Sequence, residues 1–195
     1  IYVPRDIKKS INYLSIASNQ NNTKAQCILG QIYYYGVDYS RDIDKSIYYL
    51  KLASDQNNQD AQYNLGCIYC EGIFFPRDIN KAIHYFQLAS DQNKPKAQYS
   101  LGIIYSDGKY ITIDIEKAIH YFTLAADQNM PEAQYSLGEI YKKGIYVPRD
   151  VNKAIRYYML SSKQNYPSAL FSLGIIYYQG INIILYKIKV YREVI

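Results

Sequence analysis

The sequence predicts an all-α solenoid of helix–turn–helix repeats, and three observations predict it. Glycine recurs every 36 residues in two series: Gly30, Gly66, Gly102, Gly138 and Gly174, then Gly36, Gly72, Gly108, Gly144 and Gly180. Asp6, Asp42, Asp78, Asp114 and Asp150 keep that period, as do Lys9, Lys45, Lys81, Lys117 and Lys153. The opening segment Ile1–Asp6 (IYVPRD) returns unchanged as Ile145–Asp150, and no insertion breaks the register between them.

Each unit divides into two helices by its start and stop signals. Helix A runs through segments such as Ala97–Tyr105, and the glycine of the second series (Gly108 here) suits the left-handed residue that closes it. A short loop follows and ends in Pro-Arg-Asp in three units. Its aspartate is a good N-cap for helix B, because the carboxylate accepts from a free N–H of the first turn. Helix B runs through segments such as Ile79–Ser90 and stops at Gln-Asn. There Asn57, Asn93, Asn129 and Asn165 suit a left-handed closing residue. Pro95, Pro131 and Pro167 then fit the first turn of the next helix A, where a missing N–H costs nothing.

Comparing the units with one another separates their faces. At 100° per residue, helix A keeps the positions of Ala25, Leu29, Ile32 and Tyr33 on one arc, and helix B keeps those of Ile47, Leu50 and Ala53. Those arcs form the predicted core. The positions of Lys24, Ile28, Gln31 and Tyr35, and those of Asp44, Tyr48, Lys51 and Asp55, change between units and are predicted to face solvent. A glycine inside a helix costs roughly 1 kcal/mol relative to alanine. Its retention in mid-helix A predicts the close approach of a neighbouring helix.

Residues 1–180 are therefore read as the repeat array, with a partial first unit, and 181–195 as a degenerate cap or tail. Past Gly180, Tyr186 stands where the capping aspartate belongs and Val190 where the alanine belongs. The start at Ile1 instead of methionine points to a fragment or a trimmed product.

Composition narrows the function classes. The chain is 49% apolar, enough for a substantial core, and its aromatics are dominated by 25 Tyr against 5 Phe and no Trp. Tyrosine suits half-buried faces and groove edges, because its ring is apolar and its hydroxyl needs a partner. The net charge of +5 is mild and its charges are interspersed. Three cysteines, Cys27, Cys67 and Cys70, make no disulfide framework and favour a reducing compartment such as the cytoplasm. No run is long and apolar enough for a membrane span, and the start is not signal-like.

The pattern A-x-Y-x-L-G-x-x-Y-x-x-G, a short loop with Asp, then K-A-x-x-Y-x-x-A, resembles the Sel-like repeat (SLR) of the tetratricopeptide superfamily. Ala97-Gln98-Tyr99-Ser100-Leu101-Gly102, followed by Lys117-Ala118-Ile119, carries it well. Cys27 and Phe171 depart from the helix A tyrosine, Ile113 from the loop arginine, and Asn stands where Gly often follows helix B. The resemblance implies a right-handed superhelix whose helix A faces line a concave groove, and an adaptor or scaffold role without enzymatic activity or cofactor. Members act in signalling and membrane-associated assemblies, and one branch in ubiquitin-ligase machinery for endoplasmic-reticulum-associated degradation. Others are joined to kinase domains, so flanking domains are an expectation too. A secreted branch pairs two cysteines per repeat, and those pairs are missing here.

No catalytic or metal constellation emerges. Cys67-Ile-Tyr-Cys70 sits toward the C-terminal half of helix A, where the dipole disfavours a thiolate, and no second pair completes a zinc site. His84 and His120 lie on the variable face of helix B without a carboxylate or nucleophile beside them. The candidate site is the variable arc of helix A, expected to bind a protein or peptide. It comprises Ile28, Gln31 and Tyr35; Asn64, Cys67 and Glu71; Ser100, Ile103 and Asp107; Ser136, Glu139 and Lys143; and Ser172, Ile175 and Gln179. The alternative is RNA binding, as in other helical-pair repeats. Phosphate contact wants a basic groove, whereas this arc sets Lys24, Lys96 and Lys143 against Asp60, Glu71, Asp107, Glu132 and Glu139. Nucleic acid is therefore not expected.

Overall fold

Five aspartates decide where every helix B begins. In a computed structural model of the chain, Asp6, Asp42, Asp78, Asp114 and Asp150 each accept from the backbone N–H of the lysine three residues on. The helices they start are α1 (Ile7–Asn19), α3 (Ile43–Ser54), α5 (Ile79–Asp91), α7 (Ile115–Asp127) and α9 (Val151–Ser162). The intervening helix A elements are α2 (Thr23–Tyr35), α4 (Gln59–Glu71), α6 (Pro95–Asp107), α8 (Pro131–Lys143) and α10 (Pro167–Val194). The structure describes residues 6–36 and 40–194, with backbone alone for 181–194. Among them, all regular structure is helical, an all-α solenoid of helix pairs.

The punctuation between helices follows the sequence. Asn21, Asn57, Asn93, Asn129 and Asn165 have φ from 57° to 61°, and Gly36, Gly72, Gly108 and Gly144 from 64° to 68°. After α3, the Asn57 turn lets the Asn58 N–H reach back to Ala53 O at 3.0 Å, closing the helix in a Schellman arrangement. Pro95, Pro131 and Pro167 open α6, α8 and α10, as expected. Gly180 differs. It lies inside α10, which continues to Val194 instead of turning back. The capping aspartate that follows each of its counterparts, and the loop arginine that follows three of the four, are replaced after Gly180 by Tyr186 and Leu185.

Two compact units are present, Ile1–Leu101 and Gly102–Ile195. In the first, successive helices from α1 to α5 pack on one another, and α2 also touches α4. In the second, α7 packs on α8, α8 on α9 and α9 on α10. The same device closes both cores. A Cβ placed on Gly66 would lie 2.5 Å from the Phe86 ring, and one on Gly138 would lie 2.5 Å from the Tyr158 ring. Leu50 and Phe122 stand equally close to Gly30 and Gly102. Each of these large side chains is almost completely buried, and burying one contributes about 1.5–3 kcal/mol. That gain exceeds the helix-propensity cost of the glycine beneath it.

Two polar ladders run beside this packing. Gln26, Gln62 and Gln134 are buried; each amide donates to a carbonyl at the end of the preceding helix B. Each also accepts from a later glutamine: Gln56 at 2.9 Å, Gln92 at 2.7 Å and Gln164 at 3.1 Å. Beside them, Tyr33 stacks on Tyr49, Tyr69 on Tyr85, Tyr105 on Tyr121 and Tyr141 on Tyr157. The recurring lysine lies over the first ring of each pair, 3.9 Å away for Lys153 and 5.2–5.3 Å for the other three.

Two predictions follow from this packing and capping. Gly102→Leu should destabilise by about 1–3 kcal/mol through overpacking against Phe122. His84→Leu, on an exposed position, should stay within about 0.5 kcal/mol. Urea unfolding compares the two, and equal shifts would refute the face assignment. The second concerns acid. Helix N–H groups hold Asp6, Asp42, Asp78 and Asp114 below the ordinary carboxylate range. Their contribution is full above the unfolded value, about 4, and is lost as pH falls through the folded values. Asn at positions 42, 78 and 114 keeps a capping oxygen but cannot titrate, so that triple variant should lose less stability below about pH 4 than the parent.

Candidate functional site

In the first unit, α2, α4 and the start of α6 border a cleft of about 420 Å³. Gln31, Tyr35, Asn64, Cys67 and Glu71 from the expected arc line it, with Asp60 and Lys96. Tyr35 is 62% exposed at its rim. Asn64 spends one amide hydrogen on the Cys27 thiol at 3.7 Å. The Tyr34 hydroxyl donates to the Glu71 carboxylate, and Lys94 pairs with Asp60. Burial, then the hydrogen bond to Glu71 and its charge, push the Tyr34 hydroxyl well above the usual phenol range, so it remains a neutral donor.

The loop arginines fix the ends of these helices. Arg41 Nε donates to Tyr34 O at 2.9 Å, and Arg77 Nε to Cys70 O at 2.8 Å. A guanidinium at a helix C-terminus satisfies free carbonyls and complements the dipole. Arg41 also lies 3.9 Å from the centre of the Phe74 ring, fixing the loop beside the cleft. The cleft is lined largely by polar side chains.

Burial makes two of the three thiols poor nucleophiles. Burial pushes Cys27 and Cys67 up to about 11, so both are neutral near pH 7. None of the three cysteines is bridged. His84 and His120 are exposed, and each lies edge-on to its neighbouring tyrosine, Tyr85 or Tyr121. Among the described residues, no group of three or more His, Cys, Asp or Glu is placed to hold a metal ion. No helix there is long and apolar enough to cross a membrane.

The second unit has a smaller cleft of about 290 Å³ between α6, α7 and α8. Ile103, Ser136, Glu139 and Lys143 from the expected arc line it, together with Ile115, Tyr135, Ile140, Ile145 and Tyr146. This cleft is the more apolar of the two.

Several arc residues are less open to solvent than the sequence implied, Glu139 and Ser172 among them. Glu139 was expected to be exposed, but its side chain is only 21% exposed. It accepts from the Tyr158 hydroxyl at 2.6 Å and lies 3.4 and 3.5 Å from Lys142 and Lys143. Burial pushes its carboxyl up, but the Tyr158 hydroxyl and the two lysines outweigh burial and hold it below the ordinary carboxylate range. Ser172 is buried, because its position on α10 faces the Tyr158 hydroxyl of α9. Ile28, Asp107 and Gln179 are exposed, Ser100 and Ile175 half-buried, and none of these five lines either cleft.

Sequence reasoning also passed over residues that line the clefts. Tyr34 and Lys94 occupy positions that vary between units, with Cys70, Ser106 and Lys142 at the first and Asn58, Met130 and Tyr166 at the second. That variation was the available signal. Tyr63 and Tyr135 belong to a recurring tyrosine series, so periodicity marked them as scaffold. Each is both: Tyr63 packs on Phe86, Tyr135 on Tyr158, and both border a cleft.

The Sel1 repeat family model matches residues 1–22, 23–58, 59–94, 95–130, 131–166 and 167–185, in register with the 36-residue units. The chain is similar to the structure of c5321, a protective antigen of uropathogenic Escherichia coli with an SLR fold. The TM-score is 0.82 and the identity 29%, over 87% of this chain and 36% of that one. It thus spans about a third of that protein's length. It is also similar to a Sel1 repeat protein from Oxalobacter formigenes, with TM-score 0.80 and 29% identity, over 91% of this chain and 73% of that one. Likeness to the immunity protein Pa5087 of Pseudomonas aeruginosa is in the fold alone, at 24% identity and TM-score 0.53, over 82% of this chain and 59% of that one. No curated protein matches the sequence. With every helix pair in register with a matched repeat, the chain belongs to the Sel1 repeat family.

Proposed function

We propose that this chain binds a partner protein through the helix A side of its repeats, with the cleft of the first unit as the principal site. The Sel1 and tetratricopeptide-like fold is a protein-interaction scaffold, and as such a solenoid the chain is not an enzyme. The observation that carries the site is the combination in one cleft of exposed Tyr35 with the amides of Gln31 and Asn64. A tyrosine at a cleft rim supplies contact area at low entropic cost. Side-chain amides offer both a donor and an acceptor, which suits the backbone of an extended peptide. The smaller second cleft, with Ile103, Ile140 and Tyr146, suits an apolar side chain.

Charge supports a protein over RNA. Asp60 and Glu71 balance Lys94 and Lys96 in the larger cleft, and Lys94 is committed to Asp60, so the cleft carries no basic surplus. Phosphate contact needs cations free to release counterions. Three unbridged cysteines support a reducing compartment. Ubiquitin-ligase, endoplasmic-reticulum-associated degradation and signalling complexes, alone or through flanking domains, are the settings in which to seek the partner.

The test compares two faces of the same unit. Tyr35→Ala with Glu71→Lys alters the cleft, and Tyr48→Ala with Asp55→Lys makes the same chemical changes on the exposed face of helix B. A partner captured by the parent chain is identified by mass spectrometry and titrated against both variants. The cleft variant should bind at least tenfold more weakly, about 1.4 kcal/mol or more, and the helix B variant within twofold of the parent. Equal losses would place binding elsewhere.

A further inference from the structure

One carboxylate of the larger cleft is left without a cation of its own. Asp60 is paired with Lys94, whereas Glu71 forms no ion pair among the described residues. Two arginines approach it and are spent otherwise. Arg77 donates to the main-chain carbonyls of Cys70 and Glu71. Arg41 donates to those of Tyr34 and Tyr35 and lies over the Phe74 ring. The Glu71 carboxylate accepts instead from the hydroxyl of half-buried Tyr34. A neutral donor fixes the carboxylate in place without cancelling its charge.

The walls beside that carboxylate are aromatic. Tyr34 and Tyr35 meet edge to face with ring centroids 5.2 Å apart, and Tyr63 borders the same cleft. Tyr35 is the most open of the three. A ring face attracts a cation, and a carboxylate beside it binds the same cation by charge and hydrogen bond. Glu71 and Tyr35 are the last residues of α4 and α2, and a helix C-terminus favours positive charge. Lys96 lies at the far end of the cleft. Its neighbour Lys94 reaches Asp60 in the first turn of α4, about three turns or roughly 16 Å from Glu71. That separation exceeds the screening length of physiological salt. The smaller cleft lacks this arrangement, because Ser106 and Lys143 occupy the positions of Tyr34 and Glu71 there.

We propose that the larger cleft recognises an arginine of an extended peptide, its guanidinium held by the Glu71 carboxylate and laid against the Tyr35 ring. The inference rests on the reading of this cleft as the partner site and names the chemistry that enters it. Arginine suits the site better than lysine. Its planar guanidinium meets a carboxylate through two N–H groups, stacks flat on a ring, and is more weakly hydrated than an ammonium.

A library of random peptides selected on the immobilised 195-residue chain tests this. The binders should share an arginine at one position. Replacing it with citrulline, which has the same shape without the charge, should weaken binding about tenfold. Glu71→Gln in the chain should do the same, since glutamine still accepts from Tyr34, and circular dichroism confirms that the variant folds. Citrulline and Glu71→Gln together should weaken binding little more than either alone, because both remove one contact. Asp55→Asn, the same charge change on helix B, should stay within about twofold of the parent. Binders that lose affinity on Tyr35→Ala but need no arginine overturn the inference and leave the cleft as the partner site. Binders indifferent to both Tyr35→Ala and Glu71→Gln overturn the cleft reading and the inference with it, as does a library that yields no binder. Losses from citrulline and Glu71→Gln that multiply place the arginine elsewhere and overturn the inference alone.

Discussion

Everything in this array depends on how closely helix A and the following helix B approach. That distance is set where Leu50, Phe86, Phe122 and Tyr158 lie over Gly30, Gly66, Gly102 and Gly138, with no room for even a methyl group. The glycine by itself weakens its helix. It is retained because the covering side chain is almost wholly buried, and loss of such a contact costs several times the helix-propensity penalty. Close approach also brings the buried glutamines and the paired tyrosines within reach of their partners. The polar ladders are consequences of that spacing.

The loops translate this contact into a repeat. A left-handed glycine turns the chain out of helix A, an arginine returns to cap the carbonyls it leaves, and an aspartate starts helix B. At Gly144 a Cβ would meet Arg149 at 2.5 Å, so glycine is required there for space as well as for φ. Where the sequence drops the arginine alone, as at Ile113, Asp114 still starts a helix B; where it drops both, the repeat stops. After Gly180 neither the arginine nor the aspartate follows, and α10 continues as one helix.

The fold was legible because its determinants are local and repeated five times. Helix starts, helix stops and the division into faces come from residues within a few positions of one another, and periodicity removes the ambiguity of a single segment. The candidate site was less legible because it is assembled from several helices. Variation between units identified Gln31, Tyr35, Asn64 and Glu71 as surface, and all four line one cleft. It misplaced Glu139, since nothing near it in sequence announces that Tyr158, from the next helix, donates to it. Ser172 was misread for the same reason. Variation shows where the scaffold makes no common demand on a position, but a position free in most units can still be buried in one.

The most direct test of the close-approach account is a double-mutant cycle at Gly66 and Phe86. With Phe86 in place, Gly66→Ala puts a methyl group 2.5 Å from the ring and should destabilise the protein. In a Phe86→Ala background the same substitution has room. There the higher helix propensity of alanine, about 1 kcal/mol, should make it neutral or stabilising. The account predicts that the effect changes sign between backgrounds, with a coupling energy of about 1–3 kcal/mol. An equal destabilisation in both backgrounds would contradict it.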